Sequence, residues 1–259
     1  MLSAPETFMQ VCNTTAAIVS KAPAYVTYHV HGVFRAAGES TTDRVVVARS
    51  DDGVAIVHDD ETGKDELRPA FPAPPTFDAL ARFRLTGVVS VQVGGKGKKR
   101  DGDMRITNVQ PLHYEADQSH ADAISRSVKG YVVTFAPDAT PQLGHLHLER
   151  NALMHDTKWL RDIWYDPATL VPSRVVWGGR DDFTLDARYQ TVESAWVLRS
   201  IAAGGTYHTA MWLGRATVGI SGEYDGYAFS QAAPDPRLAP DAAPLRVPGS
   251  PAPAPSAGG

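Results

Sequence analysis

Apolar and polar residues alternate with a period of two along most of this chain, and that pattern admits few folds other than a sheet with one dry and one wet face. It starts in Tyr25 to Arg35, where Val26, Tyr28, Val30, Gly32 and Phe34 face one way and His29, His31 and Arg35 the other. It is clearest in Leu80 to Val93. There Phe83, Leu85, Gly87, Val89, Val91 and Val93 line one face, and Arg82, Arg84, Thr86, Ser90 and Gln92 line the other. A strand of that length predicts a curved sheet. The pattern returns in Tyr131, Val133 and Phe135, in Leu146 and Leu148, in Phe183, Leu185, Ala187 and Tyr189, and in Val218, Ile220 and Tyr224. Turn signals at Asp51-Asp52-Gly53, Gly94 to Gly102, Asp166-Pro167, Gly178-Gly179 and Gly204-Gly205 separate these segments and predict hairpins. About ten antiparallel strands are expected between Tyr25 and Phe229. Helices between them are nearly missing, which disfavours a parallel doubly wound sheet.

The helical period is strong in one place. Ser3 and Glu6 form a capping box with Pro5 in the first turn, and Phe8, Val11, Cys12, Thr15, Ala16 and Val19 follow on one mostly apolar face ending before Pro23. A short helix is also compatible with Ala121, Ile124 and Val128. From Gln231 to Gly259 the chain holds 8 of its 19 prolines and no aromatic residue, while all 22 Phe, Trp and Tyr residues precede it. Such a segment cannot bury enough surface to offset the entropy of ordering. The division expected is therefore one domain over residues 1–230 and a Pro/Ala-rich disordered tail over 231–259.

Composition narrows the functions. With 25 Lys plus Arg against 29 Asp plus Glu, there is no overall positive field to draw in a nucleic acid. No stretch reaches the roughly 18 consecutive apolar residues that a membrane-spanning helix needs. The start, MLSAPETFMQ, has neither the cationic end nor the apolar run of an export signal. The single cysteine, Cys12, cannot close an internal disulfide and reads as a buried helix residue.

Catalytic signatures are absent from the sequence. Gly219-Ile220-Ser221-Gly222 lacks the glycine spacing of a nucleophile elbow, and no zincin pattern occurs. The run Gly94-Gly95-Lys96-Gly97-Lys98-Lys99-Arg100 fails as a P-loop, with Gln92 and Lys99 at the deciding positions, and reads as a basic hairpin tip. Asp59 to Glu66 lacks calcium-loop spacing and reads as a polar loop. His29 with His31, and His145 with His147, each present two imidazoles on one strand face, which a metal can use. Both pairs alternate with apolar residues and so belong on the solvent side, and no carboxylate stands at a sequence spacing that completes a site. No catalytic residue, metal or cofactor follows from these patterns.

The apolar faces carry the most information. About ten amphipathic strands and one good helix leave more greasy sheet than the helix can cover. Either the sheet curls over itself around a filled core, or it leaves a hollow that an apolar guest fills.

The segment Asp162-Ile163-Trp164-Tyr165-Asp166-Pro167-Ala168-Thr169-Leu170-Val171-Pro172-Ser173-Arg174 resembles the strand, turn and strand of the bacterial outer-membrane lipoprotein carriers, the LolA/LolB-like family. The glycine hairpin Gly178 to Asp182, the strand ending at Tyr189, Trp196-Val197-Leu198, and the upstream strand Tyr131 to Pro137 continue the likeness. The family's lid-latching arginine has three candidates here, Arg35, Arg44 and Arg49, while the segment from Lys64 to Thr76 and the tail have no counterpart. The resemblance implies a mainly β (α+β) fold, in which one curved antiparallel sheet forms an unclosed half-barrel around the N-terminal helix. It further implies non-catalytic carriage or sensing of lipid or lipoprotein acyl chains in the periplasm or cell envelope, with another cell-envelope protein as a further partner. The expected lining is Phe83, Leu85, Val89, Val91, Tyr131, Val133, Phe135, Leu146, Phe183, Leu185 and Tyr189 from the sheet, with Phe8, Val11 and Val19 from the helix. The alternatives are an interaction scaffold with a filled core, or an enzyme site around His145 and His147.

Overall fold

Helix α1 (Ala4–Val19) opens where the capping box places it. The Glu6 carboxylate accepts from both the backbone N–H and the hydroxyl of Ser3, each at 2.7 Å. These bonds hold the Glu6 carboxyl below the usual carboxylate range. Ala4, Thr7, Phe8, Val11, Cys12 and Thr15 make one buried stripe. The two threonines in it satisfy their hydroxyls on the helix's own carbonyls, Thr7 on Ser3 at 2.9 Å and Thr15 on Cys12 at 2.8 Å.

The computed structural model describes residues 2–19, 21, 23–35, 39–49, 54–69, 91–93, 104–106, 130–137, 142–151, 158–179, 182–208 and 215–239. Its strands are β1 (Tyr25–Arg35), β2 (Glu39–Arg49), β3 (Val54–Asp59), β4 (Lys64–Pro69), β5 (Val91–Val93), β6 (Met104–Ile106), β7 (Tyr131–Phe135), β8 (Gly144–Arg150), β9 (Lys158–Tyr165), β10 (Pro172–Gly179), β11 (Thr184–Val192), β12 (Ala195–His208) and β13 (Arg215–Ser230). Among the described residues, eleven of these form one antiparallel sheet in the order β4-β3-β2-β1-β13-β12-β11-β10-β9-β8-β7, and β5 pairs with β6 separately. The sheet is open, with β4 and β7 at its edges. The mainly β fold, the unclosed antiparallel sheet and the N-terminal helix are as the sequence leads one to expect.

Register places the core. Cross-strand partners share a face, so one inner row runs Phe135, Leu146, Ile163, Val175, Ala187, Ile201, Gly222, Gly32 and Thr42. The α1 stripe packs on the part of this face made by β7 to β12, where Phe8, Val11 and Cys12 join Tyr131, Leu146, Ile163, Val175, Ala187 and Tyr189 in one buried cluster. On the same face β1, β2, β3 and β13 carry a second cluster. Irregularities at Thr27/His29, Pro172/Arg174, Val176/Trp177 and Arg188/Tyr189 interrupt the ladders and bend the strands.

Several expectations change. Gly204 and Gly205 lie inside β12 and are strand residues and not a turn, whereas Gly178 and Gly179 end β10 and lead into the expected hairpin with β11. At Gly178 a Cβ would come within 3.3 Å of the Trp159 ring, so the position is kept small by packing. The reversal between β11 and β12 is made by Glu193 and Ser194, both at positive φ, without a glycine. The polar loop expected over Asp59 to Glu66 is a hairpin. Asp59 ends β3 and caps the turn by accepting from Thr62 N–H at 3.0 Å, and β4 starts at Lys64. Ile220, on the inner face two residues from Gly222, is 51% exposed. The tail expected from Gln231 is packed over residues 231–239. Asp235 caps a single helical turn, Pro236–Leu238, and Leu238 is fully buried with Tyr25 and Ile56 on the outer face of β1 and β3. One leucine at the right offset outweighs the proline-rich composition. Of the long strand Leu80 to Val93 the described part is β5, and the helix expected near Ala121 to Val128 lies outside the described residues.

Candidate functional site

Two hydrophobic clusters share the inner face, one on β7 to β12 and one on β13, β1, β2 and β3. On β7 to β12, α1 contacts β7 and β12, and its side chains join those of the sheet in one buried cluster. Phe8 meets Tyr131 edge-on at 6.2 Å, Val11 and Leu146 are fully buried, and the Tyr131 hydroxyl accepts from the Leu160 N–H at 2.9 Å. Tyr189 stands against Trp196 at 4.4 Å, and Trp196 donates its indole N–H to the Pro172 carbonyl at 2.9 Å.

On β13, β1, β2 and β3 the inner face carries a strip of aromatic and aliphatic side chains, here termed the trough. Tyr28 packs on Tyr227 at 5.5 Å and on Tyr224 at 6.0 Å, and Tyr227 continues to Phe229 at 6.3 Å. Val26, Val46, Ala48, Ala55 and Val57 form its floor, while Val30, Tyr224, Tyr227 and Phe229 are half-buried at its surface. Tyr227 donates its hydroxyl to the Leu198 carbonyl at 2.6 Å, tying the trough to β12. Burial pushes the phenol pKa values of Tyr28, Tyr224 and Tyr227 up, so the rings stay neutral at ordinary pH.

The residues expected to line a hollow fall into distinct places. Phe8, Val11, Tyr131, Val133, Leu146 and Tyr189 belong to the helix-covered cluster, with Leu185 packed against it. Phe183 is buried at the foot of β11, against Gly179. Phe135, at the end of edge strand β7, is 51% exposed. Val91 lies on β5 and Val19 at the end of α1, their side chains outside the description, and Phe83, Leu85 and Val89 lie outside the described residues.

The trough was only partly visible in the sequence. Tyr28 and Tyr224 follow the alternation, but Tyr227 and Phe229 fall on the wrong parity. Gly226, at φ +61°, inserts into β13 opposite Thr27/His29 and shifts the register, which turns both rings inward. A lone glycine after Asp225 inside a strand was the available signal.

The outer face corrects the reading of the histidines. His29 and His31 are exposed, His31 against Asp43, but His145 is largely buried. The neighbouring strand supplies the carboxylate that sequence spacing could not. Asp162 Oδ1 lies 3.1 Å from His145 Nε2 and 2.8 Å from His147 Nδ1, while Oδ2 accepts from Arg161 at 2.9 Å. Burial pushes the Asp162 carboxyl up, and the bonds from His147, Arg161 and His145 outweigh it and hold it below the usual range. His145 stacks on Trp164 at 4.3 Å, Arg174 covers Trp164 at 4.4 Å, and Arg174 grips Asp186 through two bonds of 3.0 and 2.8 Å. This is a cross-strand ladder whose carboxylates are already occupied. Among the described residues no group of three His, Cys, Asp or Glu side chains is arranged to hold a metal ion, and no helix is long and apolar enough to cross a membrane.

No protein-family model matches the chain, and no curated protein matches it in sequence. Solved structures do resemble it. A DUF1329 family protein from Desulfovibrio piger aligns at a TM-score of 0.42 and 10% identity, over 88% of this chain and 94% of the other. A LolA superfamily protein from Nitrosomonas europaea aligns at 0.38 and 12% identity, over 90% and 96%. A putative outer membrane lipoprotein-sorting protein domain from Vibrio parahaemolyticus aligns at 0.38 and 14% identity, over 87% and 93%.

Proposed function

We propose that the protein is a non-catalytic binder of an acyl chain, free or carried by a lipoprotein, which it carries or senses in the bacterial cell envelope. One observation carries this reading: among the described residues, the inner face of the open sheet carries half-buried aromatic and aliphatic side chains, Val30, Tyr224, Tyr227 and Phe229, on strands other than those α1 packs on. A chain laid along these rings leaves water without any reactive group being needed, at about 0.8 kcal/mol per buried CH₂.

The test is displacement of the neutral fluorophore N-phenyl-1-naphthylamine from the purified protein by saturated alkyl chains of graded length. Each pair of methylenes removed should weaken displacement roughly 15-fold while the chain remains wholly within the trough. Replacing Tyr224, half-buried at the surface, by Glu should abolish it with the melting transition retained. Absence of probe binding, or displacement independent of chain length, contradicts the proposal.

A further inference from the structure

The inner face does not remain apolar to its edge. The register Tyr224, Val30, Arg44, Asp59 and Lys64 runs across β13, β1, β2, β3 and β4 as a single row. Arg44 therefore stands on the same face as the aromatic trough, one strand from Val30 and two residues along β2 from Val46. A guanidinium beside apolar rings needs a reason, because desolvating a charge costs free energy unless a partner compensates.

Its internal partner is a weak one. Arg44 Nε lies 3.7 Å from Asp59 Oδ2, beyond ordinary hydrogen-bond length, and the two side chains are 31% and 24% exposed. Asp59 is engaged elsewhere, since its Oδ1 accepts from both the Thr62 N–H at 3.0 Å and the Thr62 hydroxyl at 3.1 Å. Those bonds, the Thr62 N–H first, hold its carboxyl below the usual range, with Arg44 a smaller contributor. The arginine fork offers five N–H donors, and a carboxylate that meets it at a single long contact leaves donors that Asp59 does not engage.

From this juxtaposition of a loosely paired guanidinium and an aromatic trough on one sheet face, we infer that the ligand is an anionic amphiphile, its head held by Arg44 and its chain laid over Tyr224, Tyr227 and Phe229. The inference rests on the acyl-binding reading and adds the charge of the head and the orientation of the chain. Planar two-point contact with a carboxylate or a phosphate is what a guanidinium supplies and an ammonium does not.

The experiment displaces N-phenyl-1-naphthylamine with three twelve-carbon chains: dodecanoate, dodecyl phosphate and dodecan-1-ol. The wild-type protein should bind at least one anion about tenfold more tightly than the alcohol, the size of a charge-assisted hydrogen bond at a half-exposed site. The anion with the larger preference separates a fatty-acid head from a phosphate head. Arg44→Gln should remove the preference while leaving dodecan-1-ol unchanged. Arg44→Lys should keep part of it, and Asp59→Asn should strengthen anion binding by freeing the fork. Equal affinity for the anions and the alcohol, or a preference that survives Arg44→Gln, overturns the inference and leaves acyl binding standing. Failure of all three chains to displace the probe overturns both.

Discussion

The division of the inner face into a filled half and a trough can be tested by cutting the filled half. Phe8 is 1% exposed and meets the Tyr131 ring edge-on. Phe8→Ala removes a fully buried aromatic from a site whose walls are β-strands and cannot collapse inward, so the loss should lie near 3–5 kcal/mol. The edge-on aromatic contact, about 0.5–1.5 kcal/mol beyond area burial, sets it toward the upper end. At roughly 2–4 °C per kcal/mol for a domain of this size, the melting temperature should fall by about 6–20 °C. Urea unfolding followed by circular dichroism gives the free energy directly, with an unchanged slope showing that the change is one of stability. Phe8→Leu keeps much of the volume and should cost clearly less. A loss under about 1 kcal/mol in Phe8→Ala would refute the reasoning, because α1 would then be seated loosely and the space beneath it would not be filled core.

The outer ladder and the packed start of the tail yield further expectations. The Asp162 carboxyl is held below its usual range in the folded state, so its stabilisation is fully present above the unfolded value near pH 3.9 and fades as pH falls through the lower folded value. The stability difference between wild type and Asp162→Asn, from urea melts, should therefore be large at pH 7 and shrink below about pH 4; a gap constant with pH would contradict this. A chain ending at Ala239 should melt like the full chain. One ending at Ser230 should lose about 1.5–3 kcal/mol with the burial of Leu238, together with the Arg237 bond to Asp65 on β4 at 2.6 Å. Equal stability of the two truncations would show that the Pro236–Leu238 turn contributes nothing.

The strands were legible because burial on one face imposes alternation on each segment, and the helix because its cap and its apolar stripe agree. What escaped depends on neighbours in space. Asp162 completes the histidine pair only across the β8–β9 register, so no spacing along the chain reveals it. Tyr227 and Phe229 were hidden by the extra residue at Gly226, which reverses the parity of the strand. Gly204 and Gly205 looked like a turn because glycine marks both tight reversals and crowded strands, and the sequence does not distinguish them. Leu238 was discounted because composition averages over a segment, whereas burial acts on one side chain. The expected lining follows α1, the most visible apolar face, and its described members Phe8, Val11, Tyr131, Val133, Leu146 and Tyr189 lie in the cluster that α1 shares with the sheet.

The account's central claim is tested most directly by photo-crosslinking with a dodecanoate that carries a diazirine near its methyl end, followed by peptide mapping. Labelling is expected to be confined to segments Tyr25–Arg35, Glu39–Arg49 and Arg215–Ser230, and competed away by unlabelled dodecanoate. Labelling of the outer ladder on Gly144–Arg150, or no specific labelling at all, would contradict it.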